Sequence, residues 1–270
     1  MDVPGYALIT GAGSPSGIGT ACALAFALEG SSGIALLDIN ASGLALTKSN
    51  ILALSLPQPP KILTYTLNIT DEEEVTRVIA DAAAQFGRLD YVVNAAGIAM
   101  KHAGGAAFAE TADWKRVLDV NLNGTFFVLR AAARIMLEQD PILSTIDGRE
   151  VQRGSIVNFS SIQGLLGITL STAYTTAKHA VIGLTRTASE DYAARGVRVN
   201  AICPGYTETP MTMDNPEVLR AMKERVETAV PMRRMGRPGE IADGVLYLAG
   251  GRSSFVTGSV LVVDGGYTSR

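Results

Sequence analysis

The stretch Tyr6–Asp38, YALITGAGSPSGIGTACALAFALEGSSGIALLD, reads as a strand, a glycine-rich loop, a helix and a second strand. Tyr6–Ile9 is a short apolar run, Thr10–Gly19 carries Gly11, Gly13, Gly17 and Gly19, Thr20–Glu29 has helix-forming composition, and Gly33–Leu37 is apolar and ends in Asp38. Glycines at a strand-to-helix junction let the backbone turn tightly and approach a pyrophosphate, whose charge is met by the free amides and positive dipole end of the helix. An acid about 20 residues further on binds a ribose diol. Asp38 lies nineteen residues after Gly19. Its other reading is a cap for the next helix, a role that Asn40 or Ser42 fills equally well. The spacing favours the ribose.

The alternation continues down the chain. Ala41–Leu54 reads as a helix stopped by Pro57-Gln-Pro-Pro60, and Lys61–Leu67 as a third strand. Asn68-Ile69-Thr70-Asp71 starts a helix with Thr70 or Asp71 as cap and three glutamates in the first turn, where the dipole favours them. That helix ends at Gly87, Leu89–Val93 is a fourth strand, and Asn94-Ala-Ala-Gly97 is a small-residue loop that leaves room for a ligand. Thr111–Glu138 is a long helix interrupted in composition at Asn121-Leu-Asn-Gly124, where a buried Asn is either a kinking defect or a placed polar group. Residues 139–153 form a polar surface insertion. Ser155–Phe159 and Val197–Ile202 are the next strands, Cys203–Pro210 is an exit loop, and residues 211–230 form a mobile helical flap over it. Pro238 opens a last helix to Leu248, and Val260–Val263 is the last strand. The fold class expected is α/β, with right-handed parallel crossovers and ligands beyond the strand carboxyl ends. The 270 residues are expected to form a single domain.

The chemistry concentrates in Gly154–Lys178. In a helix Tyr174 and Lys178 share one face, one turn apart, which sets an ammonium near a phenol. A cation within ~4–6 Å lowers an acidic group by ~1–3 units from a phenol's usual value of about 10. Tyr174 is then expected to exchange protons near neutrality. Ser161 ends the preceding strand and meets the helix start if the loop between them folds back over the sheet edge. A tyrosine and a lysine at this spacing are also common as a half-buried ring and a snorkelling surface stem. It is the rest of the chain that decides for chemistry.

Composition narrows the classes. Hydrophobic residues make up 47% and charged ones 18%, enough for a large core. A net charge of −3 gives no basic footprint for nucleic acid. Apolar runs such as Ala21–Leu28 are far shorter than the ~20 residues a bilayer needs, and the N-terminus enters a strand without a basic region and signal core. Cys22 and Cys203 suggest neither a disulfide framework nor a metal site, and fit buried residues of a reducing, cytoplasmic compartment.

Five motifs together resemble the short-chain dehydrogenase/reductase family: the Thr10–Gly19 loop, Asn94-Ala-Ala-Gly97, Asn121, Ser161 with Tyr174-Thr-Thr-Ala-Lys178, and Pro204-Gly205. The resemblance covers Tyr6 to Tyr267. It implies a Rossmann fold with a doubly wound, seven-stranded parallel sheet, NAD or NADP as hydride carrier, and Ser161, Tyr174, Lys178 and Asn121 as the catalytic set. In this reading Tyr174 is the acid/base, Ser161 binds the substrate oxygen, Lys178 lowers the tyrosine and holds the nicotinamide ribose, and Asn121 keeps a water in a relay to Lys178. The cofactor contacts implied are Gly11 or Gly13, Ser16, Gly17, Ile18, Gly19, Asp38, Asn68, Ile69, Asn94, Ala95, Gly97, Tyr174, Lys178, Pro204, Gly205, Thr207 and Thr209. Two departures stand out. Five residues separate Gly11 from Gly17 where the family has three, which implies a bulge around Ser14-Pro15 and leaves Gly11 against Gly13 open. Asn68 stands where many members carry an Asp touching the adenine amino group, and an Asn keeps a carbonyl acceptor.

Asp38, with no Lys or Arg between Gly11 and Gly19, favours NAD over NADP. The expected substrate is an uncharged, cyclic secondary alcohol or its ketone. Ile98, Met100, Ile162, Leu165, Leu166, Ile168, Tyr206, Met211 and Met213 are expected near the reacting carbon, with Lys101 the one cation of these segments and His102 at the surface. Gln163 either orients a second substrate oxygen or braces its loop. The resemblance also implies a homo-oligomer, a tetramer. Physical support is the apolar circumference of the Asn121 and Tyr174 helices, as in Phe126-Phe-Val-Leu129. The rival readings are a lyase, isomerase or cyclase on the same fold, an NADP-dependent ketoreductase of a biosynthetic pathway, and a non-catalytic dinucleotide sensor. An intact Ser161, Tyr174 and Lys178 set argues for the oxidoreductase.

Overall fold

The computed structural model describes residues 3–213 and 216–269. In chain order its strands are β1 (Tyr6–Thr10), β2 (Gly33–Asp38), β3 (Lys61–Thr66), β4 (Tyr91–Asn94), β5 (Ile142–Leu143), β6 (Glu150–Gln152), β7 (Gly154–Phe159), β8 (Val197–Pro204) and β9 (Val260–Val263). Its α-helices are α1 (Ile18–Leu28), α2 (Ala41–Leu52), α3 (Glu72–Phe86), α4 (Thr111–Leu118), α5 (Thr125–Met136), α6 (Thr172–Tyr192), α7 (Pro210–Met213), α8 (Pro216–Ala229) and α9 (Pro238–Ala249). Seven strands form one sheet in the order β3-β2-β1-β4-β7-β8-β9, every pair parallel. The central strands β4, β7 and β8 are buried at every position, as expected of parallel strands covered on both faces.

Two apolar layers hold the helices down. Phe26 of α1, Leu44 and Ile51 of α2, and Ile241, Val245 and Leu248 of α9 pack on one face. Val78, Ile79 and Phe86 of α3, Leu129 and Met136 of α5, and Ala188 of α6 pack on the other. Helix starts follow local chemistry. Asn40 caps α2 by accepting the Gly43 N–H at 3.0 Å, and Asp71 caps α3 by accepting the Glu74 N–H at 3.0 Å. Glu72–Glu74 lie in the first turn of α3, and Gly87 closes it in the left-handed region at φ 84°.

From β1 the chain winds outward to β2 and β3, then returns to β4 and winds the other way. The strand order therefore reverses between β1 and β4, where a crevice opens beyond the carboxyl ends. The expected long helix past this crevice does run from Thr111, but as α4, a π turn over Asp119–Gly124, and α5. A π turn adds a residue to the helical circuit, a device found mostly at functional sites. Asn121 is in that turn and wholly buried.

Residues 139–153 lie at the surface, but they are docked rather than solvated. β5 and β6 pair as a short antiparallel hairpin, Ile142 packs against the core, and Gln152 is buried. The tie is Arg198 of β8, also buried. Its Nε donates to Gln152 Oε1 at 2.7 Å, its Nη1 to the Val256 carbonyl at 2.9 Å, and its Nη2 to the Ala249 carbonyl at 2.9 Å, at the carboxyl end of α9. Burial pushes this guanidinium down to about 10. The negative end of α9 and the ring of carbonyl oxygens favour the charge there.

The flap residues 211–230 fall on α7 and α8, with 214 and 215 outside the described residues. Its far end is anchored. Val226 and Val230 pack with Met235 against Tyr206 and Tyr267, whose rings meet edge-on at 5.4 Å. Arg225 hydrogen-bonds both phenols. On α5, Phe126 is 37% exposed, and the Arg130 guanidinium lies over its ring at 4.9 Å.

Arg198→Met is expected to destabilise the protein by about 3 kcal/mol, because the Val256 and Ala249 carbonyls and the Gln152 amide oxygen lose a charged donor together. Equilibrium urea unfolding measures it. A change within 0.5 kcal/mol would show that the network carries no stability.

Candidate active site

The crevice between β1 and β4 opens into a cleft of about 1110 Å³ running along the carboxyl edge of the sheet. Its floor begins at Gly11, directly after β1. Gly11 has φ 72°, and a Cβ there would sit 2.8 Å from the Ala96 nitrogen, so only glycine lets β1 and the loop after β4 approach this closely. A Cβ on Gly19 would lie 2.3 Å from the Gly11 carbonyl oxygen, so the start of α1 also needs a bare backbone.

The longer loop does fold as a bulge. Gly17 N–H donates to the Ser14 carbonyl at 2.8 Å, closing a turn, and Thr20 Oγ1 donates to the carbonyls of Ser14 at 2.7 Å and Ala12 at 3.0 Å. This turn puts Pro15 and Ser16 at its exposed tip. Ser16, expected as a cofactor contact, is thus not in the cleft wall. Ser14 takes that place beside Gly17, Ile18 and Gly19. Of Gly11 and Gly13, Gly11 is the one that lines the cleft. Gly13 stays out of the wall because its N–H donates to Asp38 Oδ2 at 2.8 Å and its carbonyl accepts from Asn40 Nδ2 at 3.1 Å.

Asp38 is not the cap of α2. Its second oxygen accepts the Asn40 N–H at 2.9 Å, so each carboxylate oxygen holds one backbone donor and keeps acceptor capacity toward the cleft it lines. Ile39, 71% exposed, lines the cleft next to it. Asn68 and Ile69 also line the cleft, but Asn68 Oδ1 already accepts the Thr70 N–H at 3.1 Å and the Thr70 hydroxyl at 2.9 Å. The expected free carbonyl acceptor is turned onto Thr70, which leaves the NH₂ as the group Asn68 can offer.

After β4, Ala95 and Gly97 line the cleft while Asn94 is buried behind it. Asn94 Nδ2 donates to Asn158 Oδ1 at 2.8 Å, and Asn158 Nδ2 donates to Thr185 Oγ1 at 3.0 Å, a polar chain reaching α6. Asn94 Oδ1 is buried with no protein partner. Asn94 therefore braces the sheet rather than forming the wall.

Ser161, Tyr174 and Lys178, expected to act together, do come together. Ser161 ends the loop after β7, and its Oγ accepts the Gln163 N–H at 3.1 Å, which leaves its proton for the Tyr174 phenol, its other hydrogen-bond partner. Lys178, 3% exposed, donates from Nζ to the Phe159 carbonyl at 2.8 Å and sits 5.5 Å from the Tyr174 ring centre. Ser161, Tyr174 and Lys178 all line the cleft.

One expectation about this set is corrected. Tyr174 is not held below its ordinary pKa. Burial pushes the phenol up, and the Ser161 hydrogen bond only partly opposes it. Lys178 is itself pushed down to about 8 by burial. The Asn121 side-chain amide pairs with the loop after β4. Its Oδ1 accepts the Ile98 N–H at 2.9 Å and its Nδ2 donates to the Ile98 carbonyl at 2.8 Å. The π turn presents this amide like a strand partner, pinning the loop after β4 in place beside Lys178. A Cβ on Gly97 would be 2.9 Å from Asn121 Oδ1 and 3.6 Å from Lys178 Nζ.

Beyond β8, Pro204, Gly205, Tyr206, Thr207 and Thr209 line the cleft with Gln163 and Met211. Thr212, which the sequence reading passed over, pins this loop by accepting the Thr209 N–H at 3.0 Å and donating to the Thr207 carbonyl at 2.6 Å. The threonine pair three apart at a helix start was the available signal. Leu165, Leu166, Ile168 and Met213 are not in the wall. Leu165 is 41% exposed, because the loop turns outward after the Ile162–Gly164 turn, and Met213, at the end of α7, is 42% exposed. His102 is buried, not at the surface, with its backbone N–H on the Leu170 carbonyl at 2.8 Å. Lys115, Arg116 and Met222 line the cleft and went unforeseen, since only the packing of α4 and α8 beside it brings them there.

These residues fit a nicotinamide dinucleotide. Gly11 and Gly19 permit the close backbone contacts that shape the wall, Gly17, Ile18 and Gly19 at the amino end of α1 line it, and Asp38 is pre-positioned at the end of β2.

Lys178 carries a stability cost with a definite pH signature. A side chain that normally holds its proton to 10.5 gives it up near 8 in the fold. Between pH 8 and 10.5 the unfolded chain binds a proton that the folded chain does not, so stability from this residue rises through that window. Below pH 8 the buried ammonium costs about 3 kcal/mol, at about 1.4 kcal/mol per pH unit. Lys178→Met, which loses a hydrogen bond of about 1 kcal/mol, is expected to be about 2 kcal/mol more stable than wild type at pH 7 and not at pH 10.5. Urea unfolding at both pH values checks it, and a variant less stable at pH 7 would overturn the burial argument.

Comparison with known proteins agrees with this geometry. Residues 11–268 match the family model described as enoyl-(acyl carrier protein) reductase. The short-chain dehydrogenase fogB of Aspergillus ruber is 38% identical over 99% of this chain and 98% of its own length. Cyclohexanol dehydrogenase of an Acinetobacter species is 37% identical over 98% of this chain and 95% of its own. The crystal structure of levodione reductase superposes with a TM-score of 0.87 at 31% identity, covering 100% of this chain and 99% of that one. Such identity over nearly the whole of both chains admits one placement: this protein belongs to the short-chain dehydrogenase/reductase family and is a dehydrogenase or reductase, of a family that works with NAD or NADP.

Proposed function

We propose that the enzyme interconverts an uncharged, cyclic secondary alcohol and its ketone, with NAD(H) as the preferred cofactor. The observation that carries this is a phenol, Tyr174, hydrogen-bonded to Ser161 in a cleft whose nearby walls are Ile98, Met100, Ile162, Met211 and Met222. An apolar wall with few polar groups suits a ring and its one reacting oxygen. The cyclohexanol dehydrogenase resemblance points to the same class.

The bound dinucleotide would supply the hydride acceptor or donor, held by Gly11, Ser14, Gly17–Gly19, Asp38, Ile69, Ala95, Gly97 and Lys178, and by Pro204, Gly205, Thr207 and Thr209 beyond β8. In alcohol oxidation Tyr174 takes the hydroxyl proton, and in ketone reduction it returns it. Ser161 donates to the substrate oxygen and stabilises the charge that develops on it. Lys178 holds positive charge beside the phenol, and this favours the phenolate that burial otherwise opposes. Asn121 acts through the Ile98 peptide as a positioning residue.

Asp38 carries the NAD preference. A 2′-phosphate there would meet the carboxylate, and the neighbouring Ile39 and Asn40 offer no cation. Lys101, Lys115 and Arg116 line the cleft without an ion pair among the described residues, and they favour a second reading in which the substrate bears an anionic handle. A panel pairing neutral cyclic ketones with carboxylated analogues separates the two. The chain is also proposed to assemble as a homotetramer in the cytoplasm, as its family suggests.

Tyr174→Phe is expected to lower kcat by 10²–10⁴ while leaving dinucleotide affinity within a few-fold, because only the proton-carrying hydroxyl is lost. Stopped-flow turnover and fluorescence titration measure the two quantities, and substantial turnover in the variant would remove Tyr174 from the role. Replacing Asp38 with Ser together with Ile39→Arg is expected to raise the NADP-to-NAD ratio of kcat/KM by roughly 10- to 1000-fold, as a repulsion is exchanged for an attraction of ~1–4 kcal/mol. An unchanged ratio would show that Asp38 does not read the ribose.

A further inference from the structure

Gln163 lines the cleft two residues after Ser161, and its amide is polarised by what it touches. Oε1 accepts the Thr175 hydroxyl at 2.9 Å, and Thr175 follows Tyr174 in the first turn of α6. The backbone N–H of the same glutamine is held by Ser161 Oγ at 3.1 Å. Both ends of the residue are therefore tied to the catalytic group, one through Ser161 and one through the residue beside Tyr174. Nε2 makes no hydrogen bond to the described residues, and an amide that faces α6 with its oxygen turns its NH₂ away from α6. The carboxylates of the cleft wall are Asp38 and Asp119, and both are engaged, Asp38 by Gly13 and Asn40 and Asp119 by Asn123 Nδ2 at 2.9 Å.

We infer that Gln163 is a specificity-determining donor, selecting substrates that carry a second acceptor oxygen on the carbon next to the reacting carbon or the one after it. The inference rests on the alcohol–ketone reading above and deepens it. Ser161 donates to the oxygen that reacts, and Gln163 donates to the one that does not. A carbonyl, ether or hydroxyl oxygen satisfies the amide, and a hydrocarbon of the same shape leaves it unpaired and desolvated. Sites built to hydrogen-bond a substrate group reject the analogue lacking it for that reason. Thr175 is a positioning residue here, because without its hydroxyl the amide is free to rotate.

The test compares two ketones of nearly equal shape, 2-methoxycyclohexanone and 2-ethylcyclohexanone, by their kcat/KM ratio. Wild type is expected to favour the methoxy compound roughly tenfold, the scale of one hydrogen bond. Gln163→Leu is expected to bring the ratio to about 1, and Thr175→Val to lower it several-fold. If Gln163 only braces its loop, both substrates fall together in the variants and the ratio stays at its wild-type value, which overturns the inference. Equal wild-type rates on the two compounds overturn it as well. If wild type reduces neither these nor cyclohexanone, the alcohol–ketone reading itself fails and the inference goes with it, an outcome distinct from equal rates.

Discussion

Seven strands running in one direction constrain everything else in this protein. A parallel pair cannot be joined by a tight turn, so every strand must be followed by a crossover, and the crossovers cover both faces with helices. All seven carboxyl ends then meet one edge, and the loops leaving them come together although they are far apart in the chain. Gly11, Asp38, Asn68, Ala95, Ser161 and Pro204 each follow or end a different strand, and they share one cleft. The reversal of strand order between β1 and β4 opens that cleft, and the contact of Gly11 with the loop at Ala95–Ala96 sets its depth.

Within the cleft, desolvation is the dominant electrostatic effect. It raises the Tyr174 phenol, lowers the Lys178 ammonium and outweighs the local hydrogen bonds that oppose it. Burial thus works against the charge on Lys178. That is the pattern expected of a group retained for chemistry, since active sites are where burial and neighbours move proton affinities most.

The polar groups around the catalytic set do different kinds of work. Asn121 and Asn94 are buried behind the wall, one pinning the Ile98 peptide and the other joining β4 to β7 through Asn158. Gln163 stands in the wall with one end of its amide anchored. The first two make the geometry rigid, and the third presents a donor to whatever enters. Far from the cleft, Arg198 does for the carboxyl end of α9 what these amides do for the site, tying the Ala249 and Val256 carbonyls to β8.

The fold, and the meeting of Ser161, Tyr174 and Lys178, were largely readable from residue order. Runs such as Val197–Ile202 and Leu89–Val93 are apolar throughout because both sheet faces are covered, and the breaks between them carry glycines, caps and prolines whose local physics is strong. Tyr174 and Lys178 needed only helical spacing to be placed together, and the glycine loop needed only its position between a strand and a helix. What residue order could not carry is which partner each polar group finds. Asn68 and Asn121 were recognised as polar groups with roles, but their oxygens turn to Thr70 and Ile98. Gly13 was indistinguishable from Gly11 until Asp38 was seen to claim it. The sign of the tyrosine shift was also hidden, since a cation at helical spacing is a local fact whereas burial is the sum of every element packed around the ring. Local spacing fixes which chemistry is available, and only tertiary packing decides where each hydrogen bond goes and how much water is left.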